Sequence, residues 1–116
     1  MERTTNVGSI GLMIVDKWLK EQGFFTIVDT TSSGSKTVEA GSTKGHFLVQ
    51  VKTATIPNTP DSLSAEEEVT LKARALEIGS APCEALVQVD YNFQLVGQIE
   101  WRALAGAVPT LRVRSS

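Results

Sequence analysis

The feature that most constrains the fold is a segment of almost unbroken apolar residues in the middle of this 116-residue chain. The segment is Leu48–Val51, which only Gln50 interrupts, and it lies within a predicted strand at residues 45–54 that also carries Phe47. A strand that is apolar on both faces is typical of the centre of a sheet covered by other elements on each side. The same strand carries Gln50 and Lys52, which alternation places on one face.

One helix is predicted before this strand in the sequence, and a second helix is predicted after it. Apolar residues recur at helical spacing over residues 7–22, and Gly23 ends that segment as a C-terminal glycine does. Ser64 followed three residues later by Glu67 forms a capping box, which starts a second helix that continues to Gly79.

Five strands are predicted from β-branched and aromatic runs, at residues 24–29, 37–40, 45–54, 84–91 and 95–101. The second helix separates the third strand from the fourth, so a crossover should make these two strands parallel. The order αβββαββ predicts an α/β domain of three layers with a mixed central sheet. Residues 111–113 form either a short additional strand or part of a tail.

Composition indicates one globular domain over residues 1–116, since 41% of the residues are apolar and 21% are charged. No segment of the sequence resembles a membrane span or a signal peptide. The single cysteine, Cys83, cannot form an internal disulfide, so we expect a cytoplasmic protein with Cys83 buried in a strand. The net charge of −2 does not indicate a strongly basic nucleic-acid binder.

Glu39 lies on the strand before Gln50 and Lys52, eleven positions upstream of Gln50. Carboxylate and amide oxygens bind hard divalent cations, and a lysine can stabilise charge on an attacked phosphate. The pattern therefore predicts a metal-dependent phosphodiesterase. The alternative is that Glu39 is a solvated hairpin residue and the other two form a polar strand face. If that face is covered, Lys52 needs a partner, and we expect Glu39 on the preceding strand to be that partner.

Other catalytic chemistries lack the residues they require. His46 is the only histidine, so neither a histidine–cysteine zinc cluster nor a Ser-His-Asp triad can be assembled. No glycine-rich phosphate loop of the P-loop or dinucleotide type is present.

The order of elements, with an acid on the second strand and a polar-x-Lys on the third, resembles the PD-(D/E)xK nuclease superfamily. Within it, the chain is most similar to archaeal-type Holliday-junction resolvases. The resemblance covers about residues 7–90 and includes three short motifs: Gly8-Ser9, Gly23-Phe24 and Ser33-Gly34-Ser35-Lys36. It implies a restriction-endonuclease-like fold, Mg2+ or Mn2+ as cofactor, DNA as partner and a homodimer.

The resemblance also implies roles for individual residues. Glu39 and Gln50 take the positions of the two strand acids that bind the metal, with a backbone carbonyl near Val51 as a further ligand. Lys52 takes the position of the catalytic lysine. The resemblance thus implies three catalytic residues: Glu39, Gln50 and Lys52. The residues expected to contact nucleic acid are Ser33, Ser35, Lys36 and Lys44.

Two departures from the superfamily pattern concern its acids. Gln50 is neutral where the superfamily has a carboxylate, and Leu12 stands where its first helix usually carries a glutamate. Asp16 is an acid one helical turn further along this helix, and Glu67 could supply a replacement from the second helix.

Three hypotheses follow. The first is a small Mg2+-dependent endonuclease that hydrolyses DNA, including branched DNA. The second is a weak or inactive relative that binds nucleic acid or a protein partner. The third is an unrelated α/β protein that dimerises, and it is favoured if Glu39 and Lys52 point to opposite faces. Its proposed dimer face consists of Phe93, Leu95, Val96 and Trp101.

Overall fold

A computed structural model describes residues 7–29, 36–43 and 45–104 of the chain. The elements follow the predicted order αβββαββ: α1 (Val7–Glu21), β1 (Phe25–Asp29), β2 (Thr37–Ser42), β3 (Gly45–Thr55), α2 (Ala65–Ile78), β4 (Ala81–Val89) and β5 (Glu100–Ala103). The predicted strand at residues 111–113 lies outside the described residues.

The five strands form one mixed sheet in the order β1-β2-β3-β4-β5. Neighbouring strands are antiparallel except β3 and β4, which are parallel because α2 carries the chain across the sheet between them. The apolar strand that the sequence places at the centre is β3, the middle strand of the five. The predicted three-layer architecture is therefore confirmed.

One face of the sheet packs against α1 and holds most of the core. Successive strand residues point to opposite faces, so every second residue of β3 and β4 lies on this side. The sheet residues of this cluster are Val38, Ala40, Phe47, Val49, Val51, Cys83, Ala85, Val87 and Val89. From α1 they are covered by Leu12, Val15 and Leu19. The buried position predicted for Cys83 is confirmed, with 1% of the residue exposed.

The opposite face packs against α2 and is mostly polar. Its buried apolar cluster contains only Leu48 from the sheet, together with Leu63, Leu71 and Ala75. The predicted capping box at the start of α2 is present, because Ser64 and Glu67 bond each other's backbone N–H groups through their side chains. Gly79 ends the helix in the left-handed conformation, at φ 70°.

A glycine sets how closely α1 approaches the sheet. A Cβ at Gly11 would collide with the side chain of Thr53 on β3, so glycine at this position allows α1 to lie directly against Thr53. Glycine inside a helix costs about 1 kcal/mol relative to alanine.

The last two strands differ from the prediction in their boundaries. β4 begins at Ala81 rather than residue 84, because the N–H of Ser80 bonds the carbonyl of Ala75 and the chain enters the sheet directly from the helix end. β5 is Glu100–Ala103 rather than 95–101. Leu95 makes one isolated bridge to Val89, and pairing then stops at a bend near Gly97, whose φ is 72°. Within the described residues, neither helix has the length and apolar character needed to cross a bilayer.

Candidate functional site

Glu39, Gln50 and Lys52 lie on the face of the sheet that α2 covers. In the β2–β3 register Glu39 is opposite Leu48 and Gln50 is opposite Thr37. Because directly opposed residues share a face, and residues two apart on a strand do so too, all three candidates point to the same side. Glu39 and Gln50 are diagonal neighbours on adjacent strands, a relation that separates residues by about 7–8 Å. Glu39 and Lys52 therefore do not point to opposite faces, which is the arrangement that would favour the hypothesis of an unrelated α/β protein.

The three side chains differ in their access to solvent. Gln50 is buried, with 6% of the residue exposed. The side chains of Glu39 and Lys52 are 36% and 28% exposed. A ligand approaching this face would therefore meet Glu39 and Lys52 before it reached the Gln50 amide.

Lys52 is paired with α2 rather than with the neighbouring strand. Its Nζ lies 3.0 Å from Oε2 of Glu67, so the expectation that Glu39 is its partner is wrong. Register explains the difference: Glu39 is opposite Leu48, four residues from Lys52, whereas Glu67 lies in the first turn of the helix above. The pKa of Glu67 is lowered, first by the hydrogen bond from the Ser64 backbone N–H and then by the hydrogen bond from Lys52.

Glu39 is paired with α2 as well. Oε2 of Glu39 lies 3.6 Å from a terminal guanidinium nitrogen of Arg74, and the other terminal nitrogen donates to Oγ1 of Thr37 at 3.3 Å. The two carboxylate–cation pairs thus connect the sheet to α2 at two points, through Arg74 on one side and Glu67 on the other.

Glu84 also lies on this face, although its sequence context does not identify it as a site residue. It stands on β4 directly beside Gln50, and it is completely buried. Its carboxylate accepts a hydrogen bond from the backbone N–H of Leu63 and another from Nε of Arg102, at 2.6 Å in the second case. Arg102 reaches on to Glu68 of α2 at 3.0 Å. A lone acid flanked by apolar residues in a strand was the available signal.

The described side chains do not fit a preformed Mg2+ or Mn2+ site. Among the ranges that the structure describes, no three acidic, histidine or cysteine side chains are grouped to share a cation. Glu39 faces a guanidinium, Gln50 has no charge, and the Glu84 oxygens already accept two hydrogen bonds. The predicted metal ligands Glu39, Gln50 and Val51 stay a prediction, although the Val51 side chain itself lies in the core beneath α1.

The two helix acids considered as replacements occupy different layers. Asp16 belongs to α1, which packs on the other face of the sheet, and its Oδ2 pairs with Lys20 at 3.1 Å. Leu12 is 2% exposed and forms part of the core, so an acid at that position would be buried among apolar residues. Glu67 is on the correct face, but it is held by Lys52.

Of the four residues expected to contact nucleic acid, the structure describes one, Lys36. Ser33, Ser35 and Lys44 lie outside the described residues. Lys36 is half-buried just before β2, where its carbonyl accepts the N–H of Val51 at 2.9 Å.

The dimer face suggested for the third hypothesis does not form one exposed surface. Trp101 packs against Trp18 of α1, with ring centroids 5.2 Å apart, and it contacts the main core. The other three residues lie between β4 and β5 and are about one third exposed: Phe93, Leu95 and Val96.

The fold is similar to that of Hjc, a Holliday junction resolvase from the archaeal hyperthermophile Archaeoglobus fulgidus. The superposition has a TM-score of 0.63, covers 85% of this chain and 74% of that chain, and aligns residues that are 18% identical. The predicted resemblance to a Holliday-junction resolvase is thus confirmed for the fold. No protein-family model matches the sequence. No curated protein matches it either.

Proposed function

We propose that this protein is a nuclease-fold protein that binds DNA with the α2-covered face of its sheet and hydrolyses it weakly or not at all. The observation that carries the proposal is the placement of Glu39, Gln50 and Lys52 on one face of this fold. DNA is proposed as the ligand because the similar structure is that of a Holliday junction resolvase.

Lys52 is the proposed phosphate contact. Its ammonium already binds one anionic group, the Glu67 carboxylate, and its side chain is 28% exposed. Ion pairs at this level of exposure contribute only about 0–1 kcal/mol. A DNA phosphate gains the entropy of released counterions on contact with a lysine. Exchange of the carboxylate for a phosphate at Lys52 is therefore energetically accessible.

Weak hydrolysis is proposed because the acids on this face are engaged with cations. Arg74 faces Glu39, and Arg102 faces Glu84. The second candidate function is metal-dependent DNA hydrolysis, and one observation favours it: the Glu39–Arg74 pair is long, at 3.6 Å, and both side chains are about one third exposed. Such a pair can open at little cost.

DNA binding is tested by measuring affinity over a range of salt concentrations for duplex and four-way-junction DNA. We expect Lys52→Met to weaken binding and to reduce the slope of log affinity against log salt by about one, as loss of one phosphate contact does. Lys20→Met is the matched control, since Lys20 is also paired with a carboxylate but belongs to the α1 layer. Absence of salt-dependent binding by the unmodified protein would overturn the proposal.

Hydrolysis is tested separately, with supercoiled plasmid and four-way-junction DNA in the presence of Mg2+ or Mn2+. The proposal expects little or no cleavage by the unmodified protein. Efficient cleavage that is lost in both Glu39→Ala and Lys52→Ala would instead establish the second candidate function. Binding by these variants, measured without divalent cations, distinguishes lost chemistry from lost affinity.

A further inference from the structure

Arg102 of β5 lies between two carboxylates that come from different elements. Its Nε donates to Oε1 of Glu84 at 2.6 Å, and its Nη2 donates to Oε2 of Glu68 at 3.0 Å. Glu84 stands directly opposite Arg102 in the β4–β5 register, whereas Glu68 belongs to the first turn of α2. One guanidinium therefore connects two strands of the sheet to the helix that covers them.

The Glu84 carboxylate needs a compensating positive charge, because the residue is completely buried. Buried charges in proteins are paired with opposite charges or coordinate metal ions, since an isolated buried charge is very costly. The backbone N–H of Leu63 gives Glu84 a hydrogen bond but no charge. Arg102 supplies the charge, and its own pKa is raised, first by the hydrogen bond to Glu84 and then by the one to Glu68. The guanidinium thus does what a bound cation would do at this carboxylate.

The charged side chains around Glu84 balance one another. Glu84 and Glu68 are the two carboxylates, and Arg102 is the first of the two cations. The second is Lys72, whose Nζ lies 3.7 Å from Oε1 of Glu68. Gln50 lies beside Glu84 in the parallel β3–β4 register and adds a carbonyl oxygen without adding charge. This group therefore offers oxygen atoms to a divalent cation but no net negative charge.

We propose that Arg102 is a built-in substitute for a divalent cation: its guanidinium holds the Glu84 and Glu68 carboxylates, and this site can bind Mg2+ or Mn2+ only if Arg102 is removed. The donors that would then remain are two carboxylates and the Gln50 amide, which are oxygen ligands of the kind that Mg2+ accepts. Mg2+ is commonly held by one or two carboxylates and keeps several water molecules, so no further side chain is required.

The presence of a guanidinium instead of a metal ion has a chemical consequence. A metal ion lowers the pKa of a bound water and so generates a nucleophile near neutral pH. A guanidinium stays protonated and only donates hydrogen bonds, so it neutralises the carboxylates but cannot activate water in this way. The acids around Glu84 are therefore expected to support the fold rather than hydrolysis. This inference does not depend on DNA binding and is tested without DNA.

Mn2+ binding is measured by electron paramagnetic resonance, since free Mn2+ in solution gives a signal that is lost on binding. Arg102→Ala should bind one more Mn2+ per chain than the unmodified protein. The Arg102 side chain is 45% exposed, so its truncation opens a path from solvent to Glu84. Thermal unfolding gives a second measurement. The midpoint of Arg102→Ala should rise with Mn2+ or Mg2+ concentration, because a ligand that binds only the folded state stabilises it, whereas that of the unmodified protein should not.

Two variants test whether Glu84 is the origin of the new site. Arg102→Ala/Glu84→Gln should lose the additional Mn2+, because an amide replaces the buried carboxylate. Lys52→Ala is the matched control: it also removes a cation from an ion pair on this face, but it leaves a single carboxylate, Glu67, and should gain no Mn2+ site.

Arg102→Ala leaves a buried charge unpaired, so the measurements are made in trimethylamine N-oxide, which favours the folded state. Circular dichroism reports whether the variant is folded. Three results would overturn the inference: a folded Arg102→Ala protein without additional Mn2+, an Arg102→Ala protein that stays unfolded even with Mn2+, or Mn2+ binding by the unmodified protein that Glu84→Gln abolishes. None of them involves DNA, so the proposed DNA binding stands or falls by its own test.

Discussion

The two faces of the sheet are built from the same strands but have different chemistry. On the α1 side, β2, β3 and β4 contribute only apolar residues and a cysteine to the buried cluster. On the α2 side the same three strands contribute several polar residues, which are Thr37, Glu39, Gln50, Lys52 and Glu84. The larger apolar residues on that side are Leu48 of β3 and Pro82 and Leu86 of β4.

This difference separates stability from binding. Burial of apolar area is the dominant favourable contribution to folding, so the α1 side is expected to hold the fold together. The polar side adds ion pairs between the sheet and α2, whose individual contributions are smaller where they are exposed. A ligand can therefore contact side chains on the polar side without disturbing the main core on the α1 side.

The largest expected effect is on the α1 side. Leu19→Ala removes a fully buried side chain of the main core and should lower the free energy of unfolding by about 2–5 kcal/mol. Urea unfolding followed by circular dichroism measures the change. Leu76→Ala is the matched control, because Leu76 is 83% exposed, and its effect should stay within about 0.5 kcal/mol. A similar loss for both variants would contradict the assignment of stability to the α1 side.

The buried acid on the polar side should give the next largest effect. Arg102→Met leaves the Glu84 carboxylate buried with its Leu63 hydrogen bond but without its cation. Removing one partner of a buried pair costs about 3–5 kcal/mol, and we expect the lower end because Arg102 is 45% exposed.

A double-variant cycle checks the cause of that loss. Glu84→Gln removes the uncompensated charge, so the Glu84→Gln/Arg102→Met protein should be more stable than Arg102→Met alone. If the double variant is as unstable as the sum of the two single variants, the Glu84–Arg102 pair is not the origin of the effect.

The two sides also differ in how well the sequence predicts them. Apolar periodicity predicts the α1 layer, the central position of β3 and the parallel crossover, because these depend on local patterns and on connection rules. The ion-pair partners on the polar side depend on where α2 crosses the sheet, which no local pattern specifies. Lys52 consequently has Glu67 as its partner, fifteen residues away.

The neighbours of Glu84 likewise could not be predicted from local sequence patterns. Its neighbour Gln50 is thirty-four positions away in sequence, and its cation is on β5, whose position the sequence did not predict correctly. The strand pattern shows an acid among apolar residues, but only the parallel register brings that acid beside Gln50.

The smallest expected effect is a pH dependence at the junction of the polar face and α2. The pKa of Glu67 is lowered from its usual value of 4.5, mainly by the Ser64 backbone N–H and then by Lys52. A lowered pKa means that the folded state favours the charged carboxylate. Its contribution is therefore complete above the unfolded pKa and is lost as the pH falls through the folded pKa.

Comparing the unmodified protein with Glu67→Gln measures that contribution, since glutamine preserves the reach of the capping box. At neutral pH the variant should unfold with a free energy lower by less than about 1 kcal/mol, as expected for an exposed pair. Below pH 4.5 the difference should shrink towards zero. Glu66→Gln is the control, because Glu66 is exposed in the same helical turn. A difference that grows on acidification would mean that folding raises the pKa of Glu67, and the Lys52 contact would then not be stabilising.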